Sequence, residues 1–261
     1  MYSQIRNISI ACIILVALGG FFQTAAADTE ANKALVLRLL EVWNDGNLAV
    51  ADEIFATDFV FHDPSRPDVT DLESYKGWVV ENRTAFPDFH VEIHYMVAEG
   101  DKVAGRWTVT CTHQGEFMGI PPTGKQGTVT GMNILRLAGG KIVEAWWIYD
   151  TLALMEQLGV MPSTREDFTW GAPSQVTGDP GDPMTNTAFV LYLVQKFWNE
   201  KNVDALDQTH SPDSIAHNPV LTGVFPYPQA FDDAYKPAAL MHTAAFPDMK
   251  VTTEDIIAEG D

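Results

Sequence analysis

Two kinds of apolar pattern follow each other in the first part of the chain. Up to residue 85, apolar side chains recur at helical spacing, which predicts three helices at residues 35–42, 48–55 and 73–85. From residue 90 the period becomes two, which predicts four strands at residues 90–98, 102–113, 128–138 and 141–149. Gly139-Gly140 is typical of a two-residue hairpin turn between the last two strands. Helices followed by an antiparallel meander indicate the α+β class.

Short motifs occur twice in the same order, which indicates an internal repeat. The pairs are Trp43-Asn44 with Trp198-Asn199, His62-Asp63-Pro64 with His217-Asn218-Pro219, residues 85–88 with 245–248, and residues 98–101 with 258–261. Between the copies, residues 163–186 combine glycine and proline with polar residues and show no apolar period, which is typical of a linker. We expect a complete domain at residues 28–162 and an incomplete copy at 187–261, with helices from Thr187 onward and a strand near residues 250–258. We also expect a natural protein that continues beyond Asp261.

The first 27 residues differ from the rest of the chain. Arg6 is their one charged side chain, an apolar run extends from Ile8 to Phe22, and Ala25-Ala26-Ala27 follows it. This pattern predicts a signal peptide that is cleaved before Asp28. We therefore expect an exported protein, periplasmic or secreted, and an uncleaved membrane anchor is the alternative.

The chain is strongly acidic, with a formal net charge of −19. Cleavage of the signal peptide removes one positive charge, Arg6, and leaves −20. Such a surface repels phosphate backbones and anionic lipid headgroups, so we expect no nucleic-acid partner and no membrane contact after cleavage. Cys12 leaves with the signal peptide and Cys111 remains alone, so no intramolecular disulfide can form.

Several stretches of the first copy form a specific combination of motifs. They are Phe61-His62-Asp63-Pro64, Ala85-Phe86-Pro87-Asp88, Ala98-Glu99-Gly100-Asp101, Thr112-His113-Gln114-Gly115-Glu116-Phe117, Gly119-Ile120-Pro121-Pro122-Thr123-Gly124-Lys125, and Gly140-Lys141-Ile142-Val143-Glu144 with Trp146, Asp150 and Gln157-Leu158-Gly159. Together they resemble the SnoaL-like polyketide cyclases, or ester cyclases, which have the nuclear-transport-factor-2-like fold. The resemblance covers about residues 31–160. It implies a cone-shaped, curved antiparallel sheet that is wrapped by N-terminal helices and encloses an apolar pocket.

The resemblance also implies a chemistry. Some members of the family close a polyketide ring by an intramolecular aldol reaction that uses an aspartate and no cofactor, and the matching residue is Asp150. It ends a predicted strand in which alternation puts Trp146, Ile148 and Asp150 on one face, where an apolar setting would raise its proton affinity. We predict Asp150 as the general acid and base. The alternative is that Asp150 caps a helix at residues 152–158.

Two histidines are predicted to support Asp150. His62 would donate a hydrogen bond to a developing oxyanion or relay a proton, unless it only pins the turn at Asp63-Pro64. His113 shares a strand face with Trp107, and this face is predicted to line the pocket. The predicted substrate contacts are Asp63, Trp78, Trp107 and Trp146, with a packing role as the alternative for Trp78.

No metal site is predicted. His90, Glu92 and His94 alternate along one strand, and neighbours on one strand face lie about 6.6 Å apart. The three side chains are therefore too far apart to converge on one ion, and a solvated strand face is the better interpretation.

These observations lead to one main hypothesis and two alternatives from other classes. The main hypothesis is an exported cyclase, lyase- or isomerase-like, that needs no cofactor. It would use general acid–base chemistry, an aldol-type cyclisation or an isomerisation, on a small hydrophobic carbonyl compound. The alternatives are a non-catalytic small-molecule binding protein of the same fold and an interaction module that pairs through its sheet. The resemblance also implies a homodimer formed through the open sheet face.

Overall fold

The computed structural model describes residues 28–161, 183–210, 215–216, 229–230 and 236–259. The predicted signal peptide and nearly all of the predicted linker lie outside these residues. The chain divides into two units, Met1–Val160 and Met161–Asp261, which are described one at a time. In the part of the chain that is described, no helix has both the length and the apolar character needed to cross a bilayer.

The first unit contains five helices and five strands within its described residues. The helices are residues 28–37 (α1), Leu39–Asp45 (α2), Leu48–Ile54 (α3), Leu72–Ala85 (α4) and Thr151–Leu158 (α5). The strands are Phe55–His62 (β1), His90–Glu99 (β2), Lys102–Thr112 (β3), Gln126–Ala138 (β4) and Lys141–Tyr149 (β5). The α+β class and the four-stranded meander are confirmed. β1 is an additional strand, which the pattern of the sequence did not predict.

The strands form one sheet in the order β1-β5-β4-β3-β2. β2 to β5 pair antiparallel in chain order, and β1 pairs parallel with β5, where His62 faces Trp146 in the register. Irregularities between Ile93 and Tyr95 in β2 and between Arg136 and Leu137 in β4 interrupt the ladder, and such bulges bend a sheet. The predicted Gly139-Gly140 turn is confirmed, because both residues have positive φ, 58° and 73°.

An aromatic core joins the helices to the sheet. Trp43 from α2 packs against Tyr75 and Trp78 from α4 and against Trp147 from β5, with ring centroids 4.8–5.8 Å apart. Its indole Nε1 donates a hydrogen bond of 2.8 Å to the Tyr75 hydroxyl. α4 is held at its start by Asp71, whose carboxylate accepts from the backbone N–H of Ser74. The helices therefore cover one face of the sheet.

The second unit contains helices Pro183–Leu193 (α6), Asp204–Thr209 (α7) and Lys236–Ala245 (α8), with a π-helical turn at Val194–Asn199. α6 begins at Pro183, inside the segment predicted as linker, and the linker itself stays a prediction. Its described residues also include two paired strands of two residues each, Ile215–Ala216 (β6) and Gln229–Ala230 (β7). Phe197 and Leu206 are buried in a small apolar cluster, whereas 54% of Phe246 is exposed.

One pair of hydrogen bonds occurs in both units. The Asn44 side chain accepts from the backbone N–H of Val91 and donates to its carbonyl, at 2.7 and 3.0 Å. The Asn199 side chain does the same with Val251, at 2.8 and 2.9 Å. The strand that was predicted near residues 250–258 is absent, since residues 249–259 are described without regular secondary structure. A strand needs a hydrogen-bonded neighbour, and the described part of this unit offers none beside them.

Candidate functional site

A cavity lies between the helices and the inner face of the sheet in the first unit. With its mouth it contains about 1010 Å³ of empty space. Strand alternation supplies its floor, because Trp107, Val109 and Cys111 of β3 and Trp147 and Tyr149 of β5 point to the same side. The helices and the loop after α4 add further apolar side chains, among them Leu39, Trp43, Trp78, Phe86 and Phe89.

Gly131 on β4 has no side chain and makes room for Trp107, one of the two tryptophans of the floor. A Cβ atom at Gly131 would lie 2.4 Å from the Cζ2 and Cη2 atoms of Trp107, far inside van der Waals contact. The glycine therefore lets the indole of Trp107 lie across β4. The shape of the cavity depends on this contact.

The polar groups of the cavity include a hydrogen-bonded chain at its mouth. The Ser65 hydroxyl lies 2.6 Å from the Asp63 Oδ1 atom and 3.0 Å from the Tyr149 hydroxyl. An ionised carboxylate can only accept, so Ser65 donates to Asp63 and Tyr149 donates to Ser65. Asp63 is only 7% exposed, whereas Ser65 is exposed at the mouth. A proton can therefore pass from the cavity wall to a buried carboxylate.

Burial raises the pKa of the Tyr149 hydroxyl above its usual value, and the nearby Asp63 carboxylate raises it further. The Ser65 hydroxyl would lower the pKa by donating to an ionised Tyr149 oxygen, and this effect is outweighed. Tyr149 is therefore protonated throughout the physiological pH range. It can offer a hydrogen bond to an oxygen in the cavity, but it does not persist as a tyrosinate.

Arg66 follows Ser65 and lies against the aromatic wall, with its Cζ atom 5.5 Å from the ring centroid of Trp78. Its guanidinium also forms ion pairs of 2.9 Å with Asp68 and Glu81. Burial acts to lower the pKa of Arg66, but the bonds to the two carboxylates outweigh it and raise the pKa. Arg66 is therefore a permanent cation whose charge is already compensated.

Asp150, the predicted acid and base, does not line the cavity. Its carboxylate accepts a hydrogen bond of 2.8 Å from the backbone N–H of Ala153 and caps α5. The structure thus contains the capping arrangement that was the alternative interpretation. The catalytic role of Asp150 stays a prediction that mutation can test.

We expect Asp150→Ala to lower the free energy of unfolding by about 1 kcal/mol, because the N-cap acceptor is lost. Asp150→Asn keeps an oxygen in place, so a smaller loss is expected. Thermal unfolding of both variants measures this difference. If Asp150→Asn retains full stability but loses all catalytic activity, the residue acts as the acid and base and not only as a cap.

His62 and Trp146 were predicted to lie at the pocket, and the structure corrects both placements. They stack on each other with centroids 5.3 Å apart on the outer face of the sheet, and neither lines the cavity. His62 is bound by Glu144 at 3.0 Å, and Arg136 lowers the pKa of that carboxyl. Trp146 does not face the cavity because side chains alternate along a strand, and Trp147 and Tyr149 are the residues of β5 that point inward.

The outer face of the sheet carries several exposed apolar side chains. Val60, Met132 and Ile148 are 42%, 55% and 64% exposed. Exposed apolar patches are often contact surfaces. The homodimer through the sheet stays a prediction.

His113 is fully buried beside the cavity and does not line it, which corrects its predicted position in the pocket. Its Nδ1 atom lies 3.2 Å from the Thr123 hydroxyl, and its ring packs on Phe86 and Phe117. The backbone of His113 also bonds to Gly124 and Lys125. The residue therefore anchors the glycine- and proline-rich loop between β3 and β4.

The remaining predicted residues lie at or next to the cavity. Trp78 and Trp107 line it, and Asp63 lies directly behind Ser65. Substrate contact by these three residues stays a prediction. Sequence reasoning missed Ser65, Arg66 and Tyr149. The signal for Tyr149 was its alternation with Trp147, and Ser65 and Arg66 follow the His62-Asp63-Pro64 motif directly.

The fold and the cavity define a small α+β domain with an aromatic cavity between its helices and its sheet. The sequence model of the SnoaL-like polyketide cyclases matches residues 33–158. This part of the chain therefore belongs to the SnoaL-like polyketide cyclase family, which confirms the resemblance. A search of curated proteins gave no significant match.

Three solved structures illustrate the similarity. AclR, a proposed hydroxylase from Streptomyces galilaeus, is 34% identical over 52% of this chain and 89% of its own, with a TM-score of 0.47. IdmH, a proposed polyketide cyclase from Streptomyces antibioticus, is 34% identical over 49% of this chain and 98% of its own, with a TM-score of 0.44. A proposed polyketide cyclase from Acidithiobacillus ferrooxidans is 33% identical over 50% of this chain and 95% of its own, with a TM-score of 0.46.

Proposed function

We propose that the domain of residues 33–158 catalyses a proton-transfer reaction, an aldol-type cyclisation or an isomerisation, on a small hydrophobic carbonyl compound. The observation that carries the proposal is the chain of hydrogen bonds from Tyr149 through Ser65 to the buried Asp63 carboxylate. It starts at the wall of an otherwise aromatic cavity. Two of the relatives above are proposed polyketide cyclases, whose reaction class agrees with it.

The chain of hydrogen bonds accounts for every proton of the reaction. A C–H bond next to the carbonyl group breaks as its proton moves to the Tyr149 oxygen. In the same step the Tyr149 proton moves to Ser65 and the Ser65 proton moves to Asp63, so no tyrosinate accumulates. The product of this step is an enolate beside a neutral Asp63 carboxyl.

The second half of the reaction returns the proton. In a cyclisation the enolate carbon attacks a second carbonyl carbon, a C–C bond forms, and the new alkoxide receives the proton through Tyr149. In an isomerisation the proton returns to a different carbon. Asp63 is ionised again at the end, and neither route needs an oxidant, a reductant or a metal.

The experiment follows exchange of the α-hydrogens of 2-tetralone, a flat hydrophobic ketone, for deuterium by NMR in D2O. We expect the full-length protein to accelerate exchange above the buffer rate with saturation at high ketone concentration. Binding of the ketone without any acceleration would contradict catalysis and favour the non-catalytic binding protein.

Ser65→Ala should lower the exchange rate about tenfold, because the exposed position admits a water molecule that partly replaces the hydroxyl. Ser65→Thr is the matched control, since it keeps the hydroxyl group and should keep most of the rate. Equal rates for both variants would exclude Ser65 from the proton path.

A further inference from the structure

Asn133 on β4 differs from the other buried polar side chains of the described residues. These side chains are Asp63, Asn82, His113, Thr130 and Asn133. The first four form side-chain hydrogen bonds within the chain, whereas no described residue bonds to the Asn133 amide. A buried amide without a partner is rare in native proteins, because burial removes the water that would otherwise bind it. Its donor and acceptor are therefore available to a molecule in the cavity.

The Asn133 amide can be reached from the cavity. The residue lines the cavity, and both of its polar atoms keep accessible surface, since neither is among the enclosed polar atoms of the described residues. The Oδ1 atom lies over Gly105, where a Cβ atom would come within 2.9 Å of it. Because the oxygen and nitrogen of an amide point in different directions from one carbon, the Nδ2 group points away from Gly105 and is free to donate.

Asn133 lies on the same side of the sheet as Tyr149, the first group of the proposed proton path. In the register of β4 and β5, Asn133 pairs with Trp147, and Gly131 pairs with Tyr149. Asn133 and Tyr149 are therefore diagonal neighbours, which lie about 7–8 Å apart in an antiparallel pair. A donor and a proton acceptor at this spacing can act on the oxygen and the neighbouring carbon of one ketone.

The proposed reaction places negative charge on the substrate oxygen when the α-proton leaves. The indole nitrogens of Trp107 and Trp147 and the Nη1 atom of Arg66 are enclosed, so an oxygen in the cavity cannot reach them. The other guanidinium nitrogens of Arg66 bind carboxylates. Tyr149 takes up the proton from carbon. The Asn133 amide is neutral at every pH and can donate to the oxygen throughout the reaction.

We propose that Asn133 is a further catalytic residue. Its Nδ2 group donates a hydrogen bond to the ketone oxygen of the substrate and stabilises the enolate that forms when the α-proton leaves. The proton follows the path through Tyr149, and the amide keeps both of its own N–H protons. This inference rests on the proposed function, because it names the residue that holds the enolate oxygen.

Asn133→Leu replaces the amide with an apolar group of similar size. We expect kcat for the exchange of 2-tetralone hydrogens to fall about 10²- to 10³-fold, the usual loss for one oxyanion donor. KM should rise less than about fivefold, because a neutral ketone accepts a weaker hydrogen bond than an enolate. Asn133→Asp keeps the shape but, when ionised, has no donor, so it should lose at least as much.

Asn82→Leu is the matched control. It also removes a buried amide from the cavity, but the Nδ2 atom of Asn82 already donates to the backbone carbonyl of Trp78 at 2.9 Å. We therefore expect kcat to change by less than about threefold. An equal loss of kcat in both variants would show a general effect of cavity polarity and would contradict the role of Asn133.

A second measurement does not depend on catalysis. 2-Tetralone labelled with 13C at its carbonyl carbon is bound to the full-length protein and observed by NMR. A hydrogen bond to the oxygen withdraws electron density from this carbon, so its signal should lie downfield of its position in cyclohexane. The signal should move upfield in Asn133→Leu and stay in place in Asn82→Leu.

The proposal is overturned if 2-tetralone does not bind, or if its carbonyl signal in the complex stays at the cyclohexane position. It is also overturned if Asn133→Leu leaves either the signal or the kcat of an active protein unchanged. The signal on the unaltered protein gives an answer even where a variant does not fold. A downfield signal that depends on Asn133, without any proton exchange, would support the hydrogen bond and overturn the proposed function.

Discussion

Asp63→Asn is expected to lower the rate of α-hydrogen exchange by about 10²- to 10⁴-fold, the usual contribution of general acid–base catalysis. An asparagine still accepts a hydrogen bond from Ser65, but it cannot take up a proton. Asp63 is buried next to the cavity, and its Oδ1 atom accepts a hydrogen bond from the Ser65 hydroxyl. Exchange of 2-tetralone hydrogens, measured for both proteins at equal concentration, gives the ratio.

Asp58→Asn is the matched control, because Asp58 is an exposed aspartate of β1, the strand that directly precedes Asp63. It should leave the exchange rate unchanged. The decisive comparison is with Asp150→Asn. If that variant loses the activity and Asp63→Asn keeps it, the acid and base is Asp150 as the sequence predicted. Tyr149→Phe added to Asp63→Asn should cost little more, because the two residues act as one unit.

Trp43→Ala is expected to lower the free energy of unfolding by about 3–5 kcal/mol, the range for truncating a buried tryptophan. Trp43 is 3% exposed and contacts four aromatic rings. The truncation also leaves the Tyr75 hydroxyl without its hydrogen-bond donor in a fully buried site. Denaturant unfolding followed by circular dichroism measures the loss.

Trp146→Ala tests whether burial is the cause. This indole lies on the outer face of the sheet and packs mainly on His62, so we expect a loss of about 1 kcal/mol. Equal losses for the two truncations would contradict the assignment of the core to the inner face.

The regular elements of the first unit could be predicted because their apolar periods are long and change once, from helical spacing to alternation. β1 was missed because it follows α3 without a turn, so that Phe55 continued the helical pattern. Its pairing with β5 is a contact between distant segments, which local periodicity does not encode.

The sequence did not predict which face of β5 points toward the helices. Trp146 and Ile148 alternate with Trp147 and Tyr149, so both faces of the strand are apolar or aromatic. Periodicity then fixes which residues share a face, but not which face meets the helices. The resemblance drew attention to Asp150 and to its face, whereas the side chains of the other face line the cavity.

Ser65 and Arg66 could not have been placed by pattern, because they lie in a loop with no apolar period. Their positions depend on contacts with Tyr149, Trp78 and Glu81, which come from other elements. The strand predicted near residues 250–258 is absent for a related reason, because no described segment of the second unit pairs with these residues.

The exposed position of Ser65 has a consequence for the fate of an isotope label. When the cavity is empty, the hydrogen bonds of Tyr149, Ser65 and Asp63 are in contact with bulk water. The protons of these groups then exchange rapidly with the solvent. A ligand on the aromatic wall covers Tyr149 and leaves one carboxylate to store the abstracted hydrogen. The same hydrogen can then return to the molecule that lost it, so that a substrate labelled at carbon would retain part of its label in the product.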